Sequence, residues 1–240
     1  ATFKRNEADV WSVAFAGRTF SADFPVTQGA YLTIAQTSTP GFLVKLNGSG
    51  SALDFATYLS SAAPSVRPHT TMIHPLGWIT VFGEGGPMPQ TPGTIQSFVG
   101  ASDLFVQHFS KDGKTLVHGL AIGTPNSECA GGMAIDAAGN IVISGTVNNN
   151  TFPATAGAYD LTQKGAKTVV VSRMDATLSK LEYSTYLGGI GMMGNGQTGL
   201  PFTHVGVQEN GDVTVIGSST ALDFPITPGA FMTQSTYPAT

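Results

Sequence analysis

Phe24-Pro25-Val26-Thr27-Gln28-Gly29-Ala30-Tyr31 decides how this chain is read, because the phrase returns three more times. The other copies are Met88-Pro89-Gln90-Thr91-Pro92-Gly93-Thr94-Ile95, Phe152-Pro153-Ala154-Thr155-Ala156-Gly157-Ala158-Tyr159 and Phe224-Pro225-Ile226-Thr227-Pro228-Gly229-Ala230-Phe231. Their glycines recur at a nearly fixed interval: the step from Gly29 to Gly93 equals that from Gly93 to Gly157, and the step to Gly229 is slightly longer. Self-similarity of this kind marks a chain of supersecondary units, each too small to bury its apolar face alone.

Aligning the copies on that glycine resolves four strand-like stretches per unit. The first is Gly41-Phe42-Leu43-Val44-Lys45-Leu46, matched by Leu104 to Phe109 and Val169 to Met174. A turn follows, and then a second strand in which Leu53, Leu116 and Leu181 hold the same place. Leu181-Glu182-Tyr183-Ser184-Thr185-Tyr186-Leu187 has the alternation of a strand. The third and fourth stretches form a hairpin: Met133 to Ile135 and Ile141 to Ile143 flank Asp136-Ala137-Ala138-Gly139-Asn140. Val205 to Val207 and Val213 to Ile216 flank Gln208-Glu209-Asn210-Gly211-Asp212 in the same way, and His74-Pro75-Leu76-Gly77 turns the third copy.

Four short antiparallel strands per unit, without helical periodicity, predict an all-β fold: a β-propeller of four-stranded antiparallel blades of about 64–72 residues. A β-sandwich with irregular loops is the competing all-β reading, and the repeat disfavours it. Proline lacks a donor, so the Pro-x-Thr-x-Gly phrase is expected outside the ladders. It is read as a crossover from the fourth strand of one blade to the first of the next, with the following aromatic wedged between blades. The expected blades are 24–83, 89–145 and 153–217, with 1–17 as the last strand of a preceding blade and 224–240 as a connector to a further one. Propellers use roughly 4–8 blades. An incomplete or partial ring is therefore expected, one that another chain or further blades would complete. Val10 to Gly17 should pair onto a blade as an edge strand or as the strand that latches the ring, and Phe231 to Thr240 should lie at an interface or on missing sequence.

Three motifs carry a family resemblance. Asp23 to Tyr31 and Asp223 to Phe231, Tyr183-Ser184-Thr185-Tyr186-Leu187-Gly188-Gly189, and Ala134 to Gly145 together resemble the bacterial beta-propeller repeat called SBBP. The hairpin alone is also similar to NHL repeats. The likeness spans most of the chain and is poorest at Gly119-Leu120-Ala121-Ile122-Gly123. It implies an exported bacterial protein, located extracellularly, on the cell surface or in the periplasm, and it implies no catalytic residues.

Composition narrows the function classes. Lys+Arg 11 against Asp+Glu 15 leaves a net charge of −4, so no basic stripe is available to neutralise phosphates, and nucleic acid is not an expected partner. No apolar run approaches the ~20 residues of a membrane-spanning helix. Charged Lys4, Arg5, Glu7 and Asp9 open the chain, unlike a signal peptide, so a mature start or a piece of something longer is expected. The single cysteine, Cys129, excludes an internal disulfide and reads as a buried small residue.

The candidate chemistry is sparse. Gly189-Ile190-Gly191-Met192-Met193-Gly194 matches a dinucleotide-binding pattern, but Asn195 to Pro201 cannot open the helix that motif requires. The Leu187 to Val207 loop is longer than its counterparts, which fits a binding function and mere tolerance of insertions equally. Of His69, His74, His108, His118 and His204, only the first two are near neighbours, and none has partners at metal-ligand spacing. His108 falls where Lys45 and Arg173 stand in other copies and reads as solvated, whereas His118 replaces Phe55 and Tyr183 and reads as a packed ring. Asp136 to Asn140 lacks the alternating oxygens of an EF-hand, and Gly113-Lys114-Thr115 lacks a phosphate loop's upstream glycine. Ser110 to Thr115 is faintly like the Asp-box of sialidases and reads as a hairpin turn; Asn47 and Asn149 head formal glycan acceptors. Glu84 and Glu128 lie near blade ends without an evident partner, which leaves carboxylate-pair glycosidase chemistry open.

No catalytic, cofactor or metal residues are assigned from these motifs. The expected function is a non-catalytic module binding a protein or glycan partner. The alternatives are a structural subunit of a large membrane-associated or surface assembly, and a polysaccharide-acting propeller hydrolase or lyase.

Overall fold

Each turn glycine sits where a side chain would be strained, and the strands follow from those turns. The computed structural model describes residues 2–5, 11–35, 37–60, 62–95, 100–190, 203–219 and 221–232. Its strands fall into antiparallel sheets in chain order. The first sheet contains β1 (Thr2–Arg5), β2 (Trp11–Arg18), β3 (Gly41–Leu46) and β4 (Leu53–Tyr58), paired in that order. The second contains β5 (Ser65–Ile73), β6 (Ile79–Gly86), β7 (Asp103–Phe109) and β8 (Leu116–Ile122). The third repeats the arrangement with β9 (Cys129–Ile135), β10 (Ile141–Val147), β11 (Thr168–Met174) and β12 (Leu181–Leu187). β13 (Thr203–Val207) and β14 (Val213–Gly217) pair as a hairpin, with no third strand beside β14 among the described residues. The all-β expectation and the antiparallel four-stranded unit both stand.

The phase of the repeat differs from the expected one. Hairpins β5–β6 and β9–β10 open their sheets, so the expected unit 24–83 supplies β3 and β4 to one sheet and β5 and β6 to the next. The Pro-x-Thr-x-Gly phrase therefore joins two neighbours of a single sheet, β2 to β3 or β6 to β7, instead of crossing between sheets. A period sets spacing but is indifferent to where a unit starts; hydrogen-bond pairing makes that choice. For the same reason β2 is an inner strand, flanked by β1 and β3, and not an edge.

The connector leaves the sheet, doubles back over the fourth strand and returns. Its glycine has positive φ in all four copies, 75° at Gly29, 86° at Gly93, 82° at Gly157 and 83° at Gly229, a region that side chains with a Cβ resist. The Thr27 N–H donates to the Ala56 carbonyl at 3.0 Å, and the Ala56 N–H returns to Thr27 Oγ1 at 3.1 Å. Thr91 with Gly119 and Thr155 with Ser184 make the same reciprocal pair. Just past the first two glycines, the chain reaches the next sheet: the Tyr31 N–H donates to Gly113 O at 3.0 Å, and the Ile95 N–H to Leu178 O at 2.8 Å. Leu178 takes φ 59° where Gly113 takes 70°, and its side chain is fully buried in the core.

Packing follows the alternation of strand side chains. From the second sheet, Val81, Phe105, Phe109 and Ala121 join Leu43, Phe55 and Leu59 of the first. Phe82, Leu104, Val106 and Leu120 face the other way, onto Ile141, Ile143, Val170 and Tyr186 of the third. A sheet buried on both faces needs apolar residues at consecutive positions, which accounts for the near-continuous runs in the sequence.

The wedge role of the connector aromatic holds where a complete sheet follows. The Tyr31 ring lies 5.6 Å from that of Phe109. Its counterpart Tyr159 precedes the two-stranded β13–β14 and is 67% exposed. Tyr31→Ala should cost about 2 kcal/mol in urea unfolding, and Tyr159→Ala under about 0.5 kcal/mol. Equal losses would refute a wedge.

Candidate functional site

The polar side chains gather at the two ends of the sheets. At one end β7 begins with Asp103 and the Ile122–Cys129 loop carries Glu128. The Thr124 hydroxyl donates to Glu128 Oε1 at 2.6 Å, and the Thr124 N–H to Oε2 at 3.1 Å. Both Asp103 oxygens accept the Gly100 N–H at 2.9 Å. Asp103 Oδ1 and Glu128 Oε2 converge on one point beside Gly123, and two buried carboxyls so close favour holding a proton. Residue 123 must be glycine, because a Cβ there would strike Asp103 Oδ1 and Glu128 Oε2. Both carboxyls are buried, and burial raises the pKa of each, that of Glu128 to about 7.

Glu84 lies at the same end and does a different job. Its Oε2 accepts the Ala130 N–H at 2.6 Å, joining β6 to β9, while its Oε1 accepts from Arg67 Nη1 at 3.1 Å. His69 Nε2 stands 3.9 Å from the same carboxylate. Cys129, expected to be buried, is half-buried, and desolvation followed by the Glu84 charge holds its thiol above the usual range. That is the opposite of an activated nucleophile.

The other end holds a ring cluster. His74 and Trp78 flank the β5–β6 turn, His108 comes from β7 and His118 from β8. Trp78 stacks 4.8 Å from His74 and 5.3 Å from His108, and His118 meets its edge at 5.1 Å. The Leu76 N–H donates to His74 Nδ1 at 3.1 Å, which leaves Nε2–H to donate to Gly139 O of the third sheet at 2.8 Å. His74 is thus a neutral imidazole with both nitrogens engaged. His108 Nδ1 pairs with the Thr80 hydroxyl at 2.8 Å, and its buried Nε2 has no partner of hydrogen-bonding geometry among the described residues, though the Ala176 backbone lies near enough to favour a proton there. Burial pushes His108 down to about 3, so it too is neutral.

The expectation of a solvated His108, drawn from Lys45 and Arg173, is corrected here: the ring is fully buried. Those two cations have carboxylate partners, Lys45 with Asp54 and Arg173 with Asp136 and Glu182, while His108 finds rings in the same register. His118 is a packed ring, as expected. Sequence reasoning missed Asp103 and Trp78. The one available signal for Asp103 was a carboxylate where the other copies carry Pro40 and Thr168.

A third feature is apolar. A cavity of about 650 Å³ opens beside β14, lined among others by Leu187, Val215, Ile216, Phe224, Ile226 and Met232. The Gly189–Gly194 motif beyond Ile190 and most of the enlarged loop lie outside the described residues, as does the chain after Met232. Ile190 is described, and its N–H donates to Asp223 Oδ1 at 2.8 Å. Asn47 and Asn149 use their side-chain oxygens to close their own turns, accepting from the Ser51 and Thr151 N–H groups at 3.0 Å. Among the described residues no helix is long and apolar enough to cross a membrane. No protein-family model matches this chain, and no curated protein matches it either.

Proposed function

We propose that this chain is a segment of a β-propeller acting as a non-catalytic binding module, with a protein or glycan as partner. The SBBP-like motifs add the expectation of an exported, surface-associated bacterial protein. The observation that carries the reading is the fate of the acids. Glycosidase carboxyls must flank a bond, roughly 5–9.5 Å apart and open to substrate. Asp103 and Glu128 are instead buried side by side next to Gly123 and engaged by loop donors, and Glu84 is buried on a backbone amide. Their chemistry is spent on joining loops and sheets.

A structural subunit of a larger assembly is the second reading, favoured by the open apolar flank at β14. Turnover assays on a polysaccharide panel, run beside a glycan array and affinity capture with the whole chain, test the proposal. Binding without turnover is the expected result. Polysaccharide cleavage that Glu84→Gln abolishes would overturn it.

A further inference from the structure

We propose that β14 and the Phe224–Met232 connector form an acceptor site for one specific occupant. That occupant is a two-stranded hairpin of the chain's own repeat type, distinct from β3–β4, β7–β8 and β11–β12, which already fill their own sheets. The internal copies show what belongs there. In each complete sheet the second strand takes a third beside it in the same register, with Gly17 opposite Phe42, Gly83 opposite Phe105 and Gly145 opposite Val170. Gly217 ends β14 at the corresponding place.

The connector beyond β14 is already folded to receive the fourth strand. The Ala230 N–H donates to Thr227 O at 3.1 Å, as Ala30 does to Thr27 and Ala158 to Thr155. Gly229 has the φ of the other three connector glycines. What Thr227 lacks, among the described residues, is the reciprocal pair with a fourth strand that Thr27, Thr91 and Thr155 all make.

No described hairpin is free to supply the occupant, because β3–β4, β7–β8 and β11–β12 are each held in a sheet of their own. From Gly29 to Gly41, from Gly93 to Asp103 and from Gly157 to Thr168, the chain takes nearly the same step between the connector glycine and the start of the third strand. The same step from Gly229 would start the partner strand near Thr240. A second copy is a poor source as well, since its β3–β4 and β7–β8 hairpins are already held in their own sheets.

The site has the chemistry of its occupant. An unpaired strand offers backbone donors and acceptors to an added strand, which supplies affinity, while the adjoining apolar pocket selects side chains. Ile216 is 67% exposed and Phe231 fully so. The occupant's first strand should carry consecutive apolar residues, as in Thr168-Val169-Val170-Val171. The inference rests on the proposed function only through the repeat and needs no closed ring. X-ray scattering that shows no ring curvature in a chain extended past Thr240 would sink the propeller reading and leave strand acceptance intact.

The test extends the chain at Thr240 with a copy of Thr168–Leu187 and measures hydrogen exchange at the amides of β14 and Thr227. Protection should rise at least tenfold over the parent chain. A tail of the same residues in scrambled order should give none, and Thr227→Val should remove most of the gain at the connector. A synthetic Thr168–Leu187 hairpin added to the unmodified chain supplies a second readout, with weaker protection of the same amides. Unchanged exchange in both formats would overturn the inference, as would equal protection by the scrambled tail. Concentration-dependent protection of β14 in the unmodified chain alone would also overturn it, because a second copy would then be the occupant.

Discussion

Leu104→Ala is expected to destabilise the protein by about 3–4 kcal/mol, the middle of the range for a leucine removed from a closed core. Leu104 is fully buried and stands on the face of the second sheet that meets the third. Its Cδ1 fills the notch above Gly145, 2.8 Å from where a Cβ would be. The backbone on both sides is pinned, by the Glu84 bond to Ala130 and by the Asp103–Glu128 contact, so the cavity cannot collapse cheaply. Urea unfolding should show a lower midpoint with an unchanged slope, because the two sheets share one core and lose it together. A loss under about 1 kcal/mol would mean that the sheets do not pack as described.

Between pH 4.5 and 7 the carboxyl pair should cost the native state stability as pH rises. The sign follows from proton counting: an unfolded Glu128 releases its proton near 4.5, whereas the native one holds it to about 7. In that window the native chain binds more protons, so stability falls with increasing pH and levels off above 7. Raised Asp103 works in the same direction. The difference should be on the order of 2 kcal/mol once partial solvent screening is allowed for. His108 acts oppositely, since an imidazole buried neutral costs stability as pH falls from 6.5 towards 3. The parent profile is therefore a sum, and the comparison with Glu128→Gln isolates the carboxyl. The amide can keep accepting from the Thr124 hydroxyl and donate to an ionised Asp103, at the loss of the Thr124 N–H bond, a cost that does not vary with pH. The variant should gain on the parent between pH 4.5 and 7, and parallel profiles would refute a proton held by the pair.

The repeat, the strands and the hairpin turns were legible because they rest on local signals. A glycine needed at positive φ, a proline kept out of a ladder and an apolar run between turns are each properties of a few adjacent residues. The phase of the unit was not legible, because a repeat period is satisfied by any starting point and only the ladder from β2 to β3 selects one.

The functional groups show the same division. His118 could be read as a packed ring because Phe55 and Tyr183 hold its place in other copies. His108 could not, because its burial depends on Trp78, on His74 and on the Ala176 carbonyl of another sheet. The rest of β7 and all of β8 lie between Asp103 and Glu128, and nothing in either neighbourhood names the other. By itself, then, the sequence determined the repeating all-β unit and its turns, which depend on backbone conformation and side-chain alternation. Tertiary structure alone decided which strands share a sheet, which acids meet and which rings stack, because those are contacts between segments that the chain holds far apart.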